Sequence, residues 1–270
     1  MITLPKGMNE HYGRNVDRMP QLLRAGEVPM STAQLMKARL QQGEEFPDLW
    51  NSWVDTSDLI VYPKGNDKEV YFLLATNNQG EVTPNGRKAL ELITPENLAS
   101  NRGAVVESIT SLGQRGRIKV SRDKLTTGEY LNQEQALAET TWRILARDPN
   151  MVGSEFAEDE SLLKEYEAQV RAKTEQGTNM AVYLGDSLPD ENTLKAWFVS
   201  RLGGRSDASG RYDLDSNGGR FVGIAPEALG EPTEDKRVRA YNPDQIGGAL
   251  EELGFSGLTK TLIDKLKKEK

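Results

Sequence analysis

Four short stretches carry side chains whose types and spacing could do chemistry. In YLGDSLPD, residues 183–190, Ser187 follows a strand-like run and could serve as a nucleophile. A serine hydroxyl needs an adjacent base, commonly a histidine held in place by a carboxylate. The chain has one histidine, His11, near its start rather than after the serine. The plain alternative is that Asp186 and Ser187 open the turn after a strand. In DLDSNGGRFVGI, residues 213–224, Asp213, Asp215 and Asn217 stand at positions one, three and five of a calcium loop. Gly218 would supply that loop's sharp turn. Position twelve should be a bidentate Glu but is Ile224, which leaves the ligand count short. Asn217-Gly218 reads instead as the two-residue turn of a hairpin between RYDLD and RFVGI.

The other two stretches are charged. RGRIKVSRDK, residues 115–124, sets Arg115, Arg117 and Lys119 on one face of a strand, where they could meet phosphate. No aromatic residue interleaves to stack a base, and a solvated face is the simpler reading. EFAEDE, residues 155–160, groups Glu155, Glu158, Asp159 and Glu160 as an acid–base pair or metal site would. Carboxylates also favour the first turn of a helix, where they oppose its dipole, and that reading needs no ligand. His11 alone reads as a surface or packing residue. Neither a phosphate-binding GxxxxGK loop nor a GxGxxG turn is present, so nothing points to a nucleotide, and no cofactor is expected.

Behind these stretches stands an ordinary folded chain. Its 270 residues are 37% hydrophobic and 28% charged, enough for a sizeable core. A net charge of −7 argues against a broad nucleic-acid surface. With no cysteine, disulfides, thiolate nucleophiles and zinc–thiolate sites are excluded. The N-terminus lacks an apolar signal segment and no run is long enough to span a bilayer, so the expectation is a cytoplasmic protein that neither enters nor binds a membrane.

The elements that must position any site follow from pattern. Residues 1–30 read as an irregular arm or a short helix around Val16–Leu23. Ser31 caps a helix that Gly43 stops. Strands are expected at 58–62 and 69–75, joined by a turn-rich PKGNDK link, and again at 115–121, 180–185 and 220–226. Helices are expected at 85–93, from Asn132 to about Arg147, and from Ser154 to about Gln176. NTLKAWFVSRLGG, residues 192–204, fits a helix or a strand equally. After Glu231 the pattern gives a helix at 243–253 and a basic amphipathic helix at 257–268. This organisation suggests an arm and helix over residues 1–45 and one main domain over 46–270, with weak boundaries near 43–50 and 227–236.

One region breaks the general composition. From Phe198 to Pro226 there is no Lys, Glu, Gln, Met or Trp, although all five are common elsewhere. A Gly- and Asp-rich loop accounts for part of this. A second explanation is genetic: these five types are the ones that randomising the adenines of an AAC or AAT codon cannot produce. Such codons yield Asn, Asp, Ser, Gly, Arg, Tyr and other mostly small residues, and never a stop.

GGRSDASGRYDLDSNGGRFVGIAPEAL resembles the variable region of archaeal diversity-generating retroelement variable proteins. The apparent frame is Arg205-Ser206, Ala208-Ser209, Leu214 and Arg220 to Gly223, with residues of the permitted types between. The resemblance covers about 30 residues well and the rest loosely. It implies an α+β chain with a C-type lectin fold, of the branch shared with formylglycine-generating enzymes, carrying added helices. It also implies a non-enzymatic receptor whose surface is rewritten by an error-prone reverse transcriptase. Two features depart from that pattern. About 45 residues follow the variable region, and the 213–218 segment hints at calcium, which this branch need not use.

Physics adds its own expectation. Core truncations cost about 2–5 kcal/mol against a total stability of about 5–15, so positions that change must face solvent. Leu214, Phe221, Val222 and Ile224 are expected to point inward, and Trp197 to be fixed in the core. The variable surface near 198–219 is expected to comprise Phe198, Ser200, Arg201, Asp207, Gly210, Arg211, Tyr212, Asp213, Asp215, Ser216 and Asn217. Tyr, Ser, Gly and Asn are the residues antibody loops use, and Arg201, Arg211 and Tyr212 are the candidate anchors. The ligand would be a protein or other macromolecule and not nucleic acid. The rival readings are a serine hydrolase of the Gly-Asp-Ser-Leu type using Ser187, and a calcium-dependent carbohydrate binder.

Overall fold

The computed structural model of the chain describes residues 2–98, 107–109, 111, 115–174, 179–185, 192–203 and 206–225. Ser187, with the nucleophile reading built on it, lies outside the described residues, as do both helices expected after residue 240.

Ten strands among the described residues join in one sheet. They are β1 (Met8–Tyr12), β2 (Val28–Pro29), β3 (Val54–Tyr62), β4 (Glu69–Leu73), β5 (Arg117–Ser121), β6 (Tyr130–Leu131), β7 (Met180–Leu184), β8 (Thr193–Val199), β9 (Ser206–Gly210) and β10 (Arg220–Ile224). β3 is the centre. One of its edges is taken by antiparallel β8, at Val54–Asp55 and again at Leu59–Tyr62 with a register shift between; the other is shared by β10, parallel at Asp55, and by antiparallel β4 at Leu59–Val61. Beyond β8 lie β9, then β7, then β6.

β3 is buried along its whole length, and its pleat divides the core in two. Ile60 and Tyr62 pack on one side with Phe72, Trp142, Tyr166 and Trp197. Leu59 and Val61 pack on the other with Val16, Met19, Leu22, Leu90 and Phe221. A strand covered on both faces buries side chains of both parities. The helices supply those covers. α1 (Asn15–Arg24) and α4 (Pro84–Glu91) lie over the second face. α2 (Thr32–Gln42), α3 (Asp48–Asn51), α5 (Gln133–Ala138), α6 (Thr140–Leu145) and α7 (Ser161–Thr174) lie over the first.

Several expectations are corrected. The first residues are no separate arm: β1 pairs with β10 from Met8↔Ile224 to Tyr12↔Arg220, and residues 1–229 form one compact unit. The ambiguous run 192–204 is strand β8, because it closes the long edge of β3. The helix expected from Asn132 is two helices. Glu139 between them is extended, and its carboxylate accepts the Trp142 N–H at 2.9 Å, capping the second helix. Burial pushes the Glu139 carboxyl up to about 7. The helix expected from Ser154 begins only at Ser161.

No hairpin joins RYDLD to RFVGI. β9 and β10 pair with different strands, and the chain between them, residues 211–219, is a loop. Neither Asn217 nor Gly218 has the positive φ that a type I′ turn demands.

Candidate functional site

The loop 211–219 forms the rim of an open pocket of about 490 Å³, lined by Asn15, Trp53, Asp55, Phe198, Ser200, Arg201, Tyr212, Asp213, Ser216, Gly218 and Gly219. Three segments build it. The first is the start of α1, where the Val16 N–H donates to the Leu214 carbonyl at 3.1 Å and so ties the loop to the helix. The second is the start of β3. The third is the end of β8, where the Ser200 N–H donates to the Asp207 carbonyl at 2.9 Å and Ser200 Oγ accepts the Asp207 N–H at 2.8 Å.

Aromatic side chains set the walls. Phe198 and Tyr212 meet edge to face with centroids 5.1 Å apart, although Tyr212 is 50% exposed. Trp53 donates its indole N–H to the Gly218 carbonyl at 3.1 Å. The Arg220 guanidinium lies over the Trp53 ring at 4.4 Å and reaches Glu10 at 2.7 Å. Arg211 stacks over Tyr183 at 4.6 Å and Tyr212 at 5.4 Å. These cation–π contacts join the exposed loop to β7, beside the anchor that buried Leu214 gives it.

Asp55 and Asn15 are the buried part of the lining, at 7% and 5% exposure. The Asp55 carboxylate accepts the Arg220 backbone N–H at 2.6 Å and a hydrogen bond from the Asn15 side chain. Burial outweighs both and pushes the Asp55 carboxyl up to about 6. Gly219 is forced by this packing: a Cβ there would stand 2.0 Å from Asn15 Oδ1.

Of the eleven residues expected on the variable surface, Phe198, Ser200, Arg201, Tyr212, Asp213 and Ser216 line the pocket. Arg211, Asp215 and Asn217 are exposed on the same loop. Asp207 and Gly210 do not face outward. Asp207 is 4% exposed, on a strand that is paired on both edges and buried at every position. Gly210 is buried, its carbonyl accepts the Tyr62 hydroxyl at 2.8 Å, and a Cβ would meet Ile60 at 2.8 Å. Leu214, Phe221, Val222 and Ile224 are buried, and Trp197 stacks on Phe72 in the core.

The sequence reading missed Asn15, Trp53 and Asp55. The signal was present in NSWVDTSDLIVY, a strand whose first half is polar, but hydrophobic pattern marks only its second half. Of the other charged candidates, Arg115, Lys119, Glu155, Glu158 and His11 resolve into internal pairs, while Arg117 lies over the Tyr71 ring and Asp159 accepts the Ser161 N–H. Arg115 meets Glu155 at 2.5 Å, Lys119 meets Glu69 at 2.6 Å, Lys37 meets Glu158, and His11 Nε2 meets Glu27 at 2.7 Å. In the calcium-like segment Asp213 lies 3.4 Å from the Lys195 ammonium and Ile224 is buried in β10. No cluster of three or more acidic, histidine or cysteine side chains among the described residues could hold a metal. Nor, among them, is any helix long and apolar enough to cross a membrane.

No family model matches the chain, and no curated protein matches it. A solved structure does: the protein described under "Accommodation of massive sequence variation in Nanoarchaeota by the C-type lectin fold". The match has a TM-score of 0.54 and 16% sequence identity, and it covers 80% of this chain and 97% of that one. The chain therefore has a C-type lectin fold with mixed α+β content.

Proposed function

We propose that this chain is a non-enzymatic ligand-binding protein whose C-type lectin fold displays a diversified surface around residues 198–219. The ligand is a protein or other macromolecule, the setting is cytoplasmic, and the source of diversity is a retroelement that rewrites adenines. The chain belongs, on this reading, to the archaeal variable proteins and to the formylglycine-generating-enzyme-like branch of the fold. One observation carries it. The stretch of restricted composition supplies eight of the eleven residues that line one pocket, and three more exposed side chains beside it. Supporting it is the likeness to a nanoarchaeal protein of the same fold, itself described as accommodating massive sequence variation.

The physical logic is a division of labour. Loop 211–219 contributes one deeply buried hydrophobic side chain, Leu214, and the sheet beneath is held by residues outside the loop. Rim side chains can then change without removing core contacts.

The test is genetic. A near-copy of the 3′ coding segment beside a reverse-transcriptase gene is expected. Population sequencing should show substitutions at Arg211, Tyr212, Asp213, Asp215, Ser216 and Asn217 with Leu214 and Phe221 unchanged. A neighbourhood without such a template, together with one invariant sequence across the population, would sink the proposal.

A further inference from the structure

The pocket has two parts of different origin. Its rim, which includes Phe198, Tyr212 and Ser216, comes from the restricted stretch. Its buried lining, Asn15 and Asp55, and the wall residue Trp53 come from elsewhere in the chain and lie outside any process confined to 198–219. A constant floor beneath a changing rim recognises a group that different ligands share.

The floor's chemistry says which group. Asn15 gives a side-chain hydrogen bond to the Asp55 carboxylate, and this fixes its amide: the nitrogen is spent on Asp55 and Oδ1 is left as an acceptor. That Oδ1 is fully buried and has no hydrogen-bond partner. A buried acceptor without a donor is costly, so a ligand that brings a donor recovers the loss. Beside it is a buried carboxylate. Acceptors and negative charge occupy the bottom, and the aromatic rings of Trp53, Phe198 and Tyr212 line the way in. Aromatic faces and a carboxylate together favour a cation that carries N–H groups. The cations already present are engaged or peripheral: Arg220 pairs with Glu10 and its charge also bears on Asp55, Lys195 pairs with Asp213, and Arg201 is exposed at the rim.

Building on the proposed ligand-binding role, we infer that the floor formed by Asn15 and Asp55 takes a basic side chain, lysine or arginine, from a protein ligand. The rim residues then choose among the surroundings of that side chain. Basic residues are common on protein surfaces, so one fixed subsite serves many partners, while the specificity is left to the rim.

The experiment uses the whole chain and two-dimensional NMR at constant ionic strength. The probes are n-butylammonium and n-butylguanidinium, with n-butanol and butyrate as neutral and anionic controls. The cations are expected to give saturable shifts at Asn15, Trp53 and Asp55, at least five-fold tighter than either control. Asp55→Asn should weaken them five-fold or more, and Asp67→Asn, an exposed carboxylate in the turn between β3 and β4 and outside the pocket lining, less than two-fold. The ranking on the unaltered chain decides the matter even where D55N does not fold. Butanol or butyrate binding as tightly as the cations, or shifts confined to other surfaces, would overturn the inference. These probes touch only the constant floor, so that failure leaves the diversified rim standing. A missing template and an invariant population would remove the rim reading whatever the fragments do.

Discussion

Residues 206–210 and 211–219 are neighbours, are drawn from the same narrow set of residue types, and meet opposite fates. SDASG is buried at every position as β9. Within RYDLDSNGG only Leu214 and Gly219 are buried. Composition cannot separate them, because Ser, Asp and Gly suit a crowded interior strand and an open loop equally. Pairing separates them. β9 runs parallel to β7 on one edge and antiparallel to β8 on the other, and the Tyr62, Trp197 and Ile60 side chains crowd its end at Gly210. Small residues are needed there for space. In the loop the same types are tolerated because nothing presses on them: a Cβ at Gly218 would meet no atom within 4 Å.

The widest effect should come from pH, through carboxyls that the fold encloses and the loop does not. Asp55 is pushed up to about 6 and Glu139 to about 7, both by burial. A carboxyl with a raised folded pKa binds its proton more tightly folded than unfolded. Its stabilisation is full below the unfolded value, near 4, and is lost as pH rises through the folded value. Urea midpoints should therefore fall between pH 5 and pH 8, by about 4 kcal/mol for the two groups together. Asp55→Asn should remove the lower part of that slope, and Glu139→Gln the upper part. A stability that rises from pH 5 to pH 8 would show that neither carboxyl is enclosed as described.

Gly210→Val should come next. The added atoms press on Ile60, Tyr62 and Trp197, and overpacking of a filled core costs about 1–3 kcal/mol. Thermal unfolding should drop by roughly 2–10 °C. The same substitution at Gly218 should move it by no more than about 2 °C. Equal losses at the two glycines would erase the distinction between strand and loop.

Much of the core was readable from the sequence. The apolar runs of β3, β4, β7 and β10 and the capped start of α2 at Ser31 announce themselves by pattern and cap chemistry. What pattern could not give was partnership. β9 is made of Ser, Asp, Ala and Gly, so it lacks the alternation that marks a strand, and its burial comes from elements remote in sequence: Tyr166 of α7 meets Ser206, and Ile60 and Tyr62 of β3 crowd Gly210. For the same reason Asp207 and Gly210 read as surface. The first half of β3 was hidden because Asp55, Thr56, Ser57 and Asp58 are polar yet buried. Each is bonded into long-range structure: Thr56 Oγ1 donates to the Trp197 carbonyl at 2.9 Å, the Ser57 N–H donates to the Met30 carbonyl at 2.9 Å, and Asp58 meets buried Arg147 at 2.6 Å. Local sequence carries no trace of partners so remote in the chain. The pocket rim was legible because its composition was unusual; its floor was not, because Asn15 and Asp55 are ordinary residues brought together by the β1–β10 and β3–β10 pairings.

The smallest effect is also the most discriminating. Replacing Arg211, Asp215, Ser216 and Asn217 together by Ser, Asn, Gly and Ser should move the thermal midpoint by no more than about 4 °C, since exposed substitutions away from caps and special turns change stability by about 0.5 kcal/mol or less each and in either direction. The stacking of Arg211 on Tyr183 and Tyr212 is the largest contact removed, and an exposed cation–π pair is worth about 0.5–1 kcal/mol. Asp207→Ala alone should cost more than that whole set. Asp207 is 4% exposed on a strand buried at every position, and the shorter side chain would leave enclosed space unfilled. Side-by-side calorimetry of the four-fold and single variants compares the loop with the strand. If four loop changes cost more than one strand change, loop 211–219 is part of what folds the protein, and it is not free to vary.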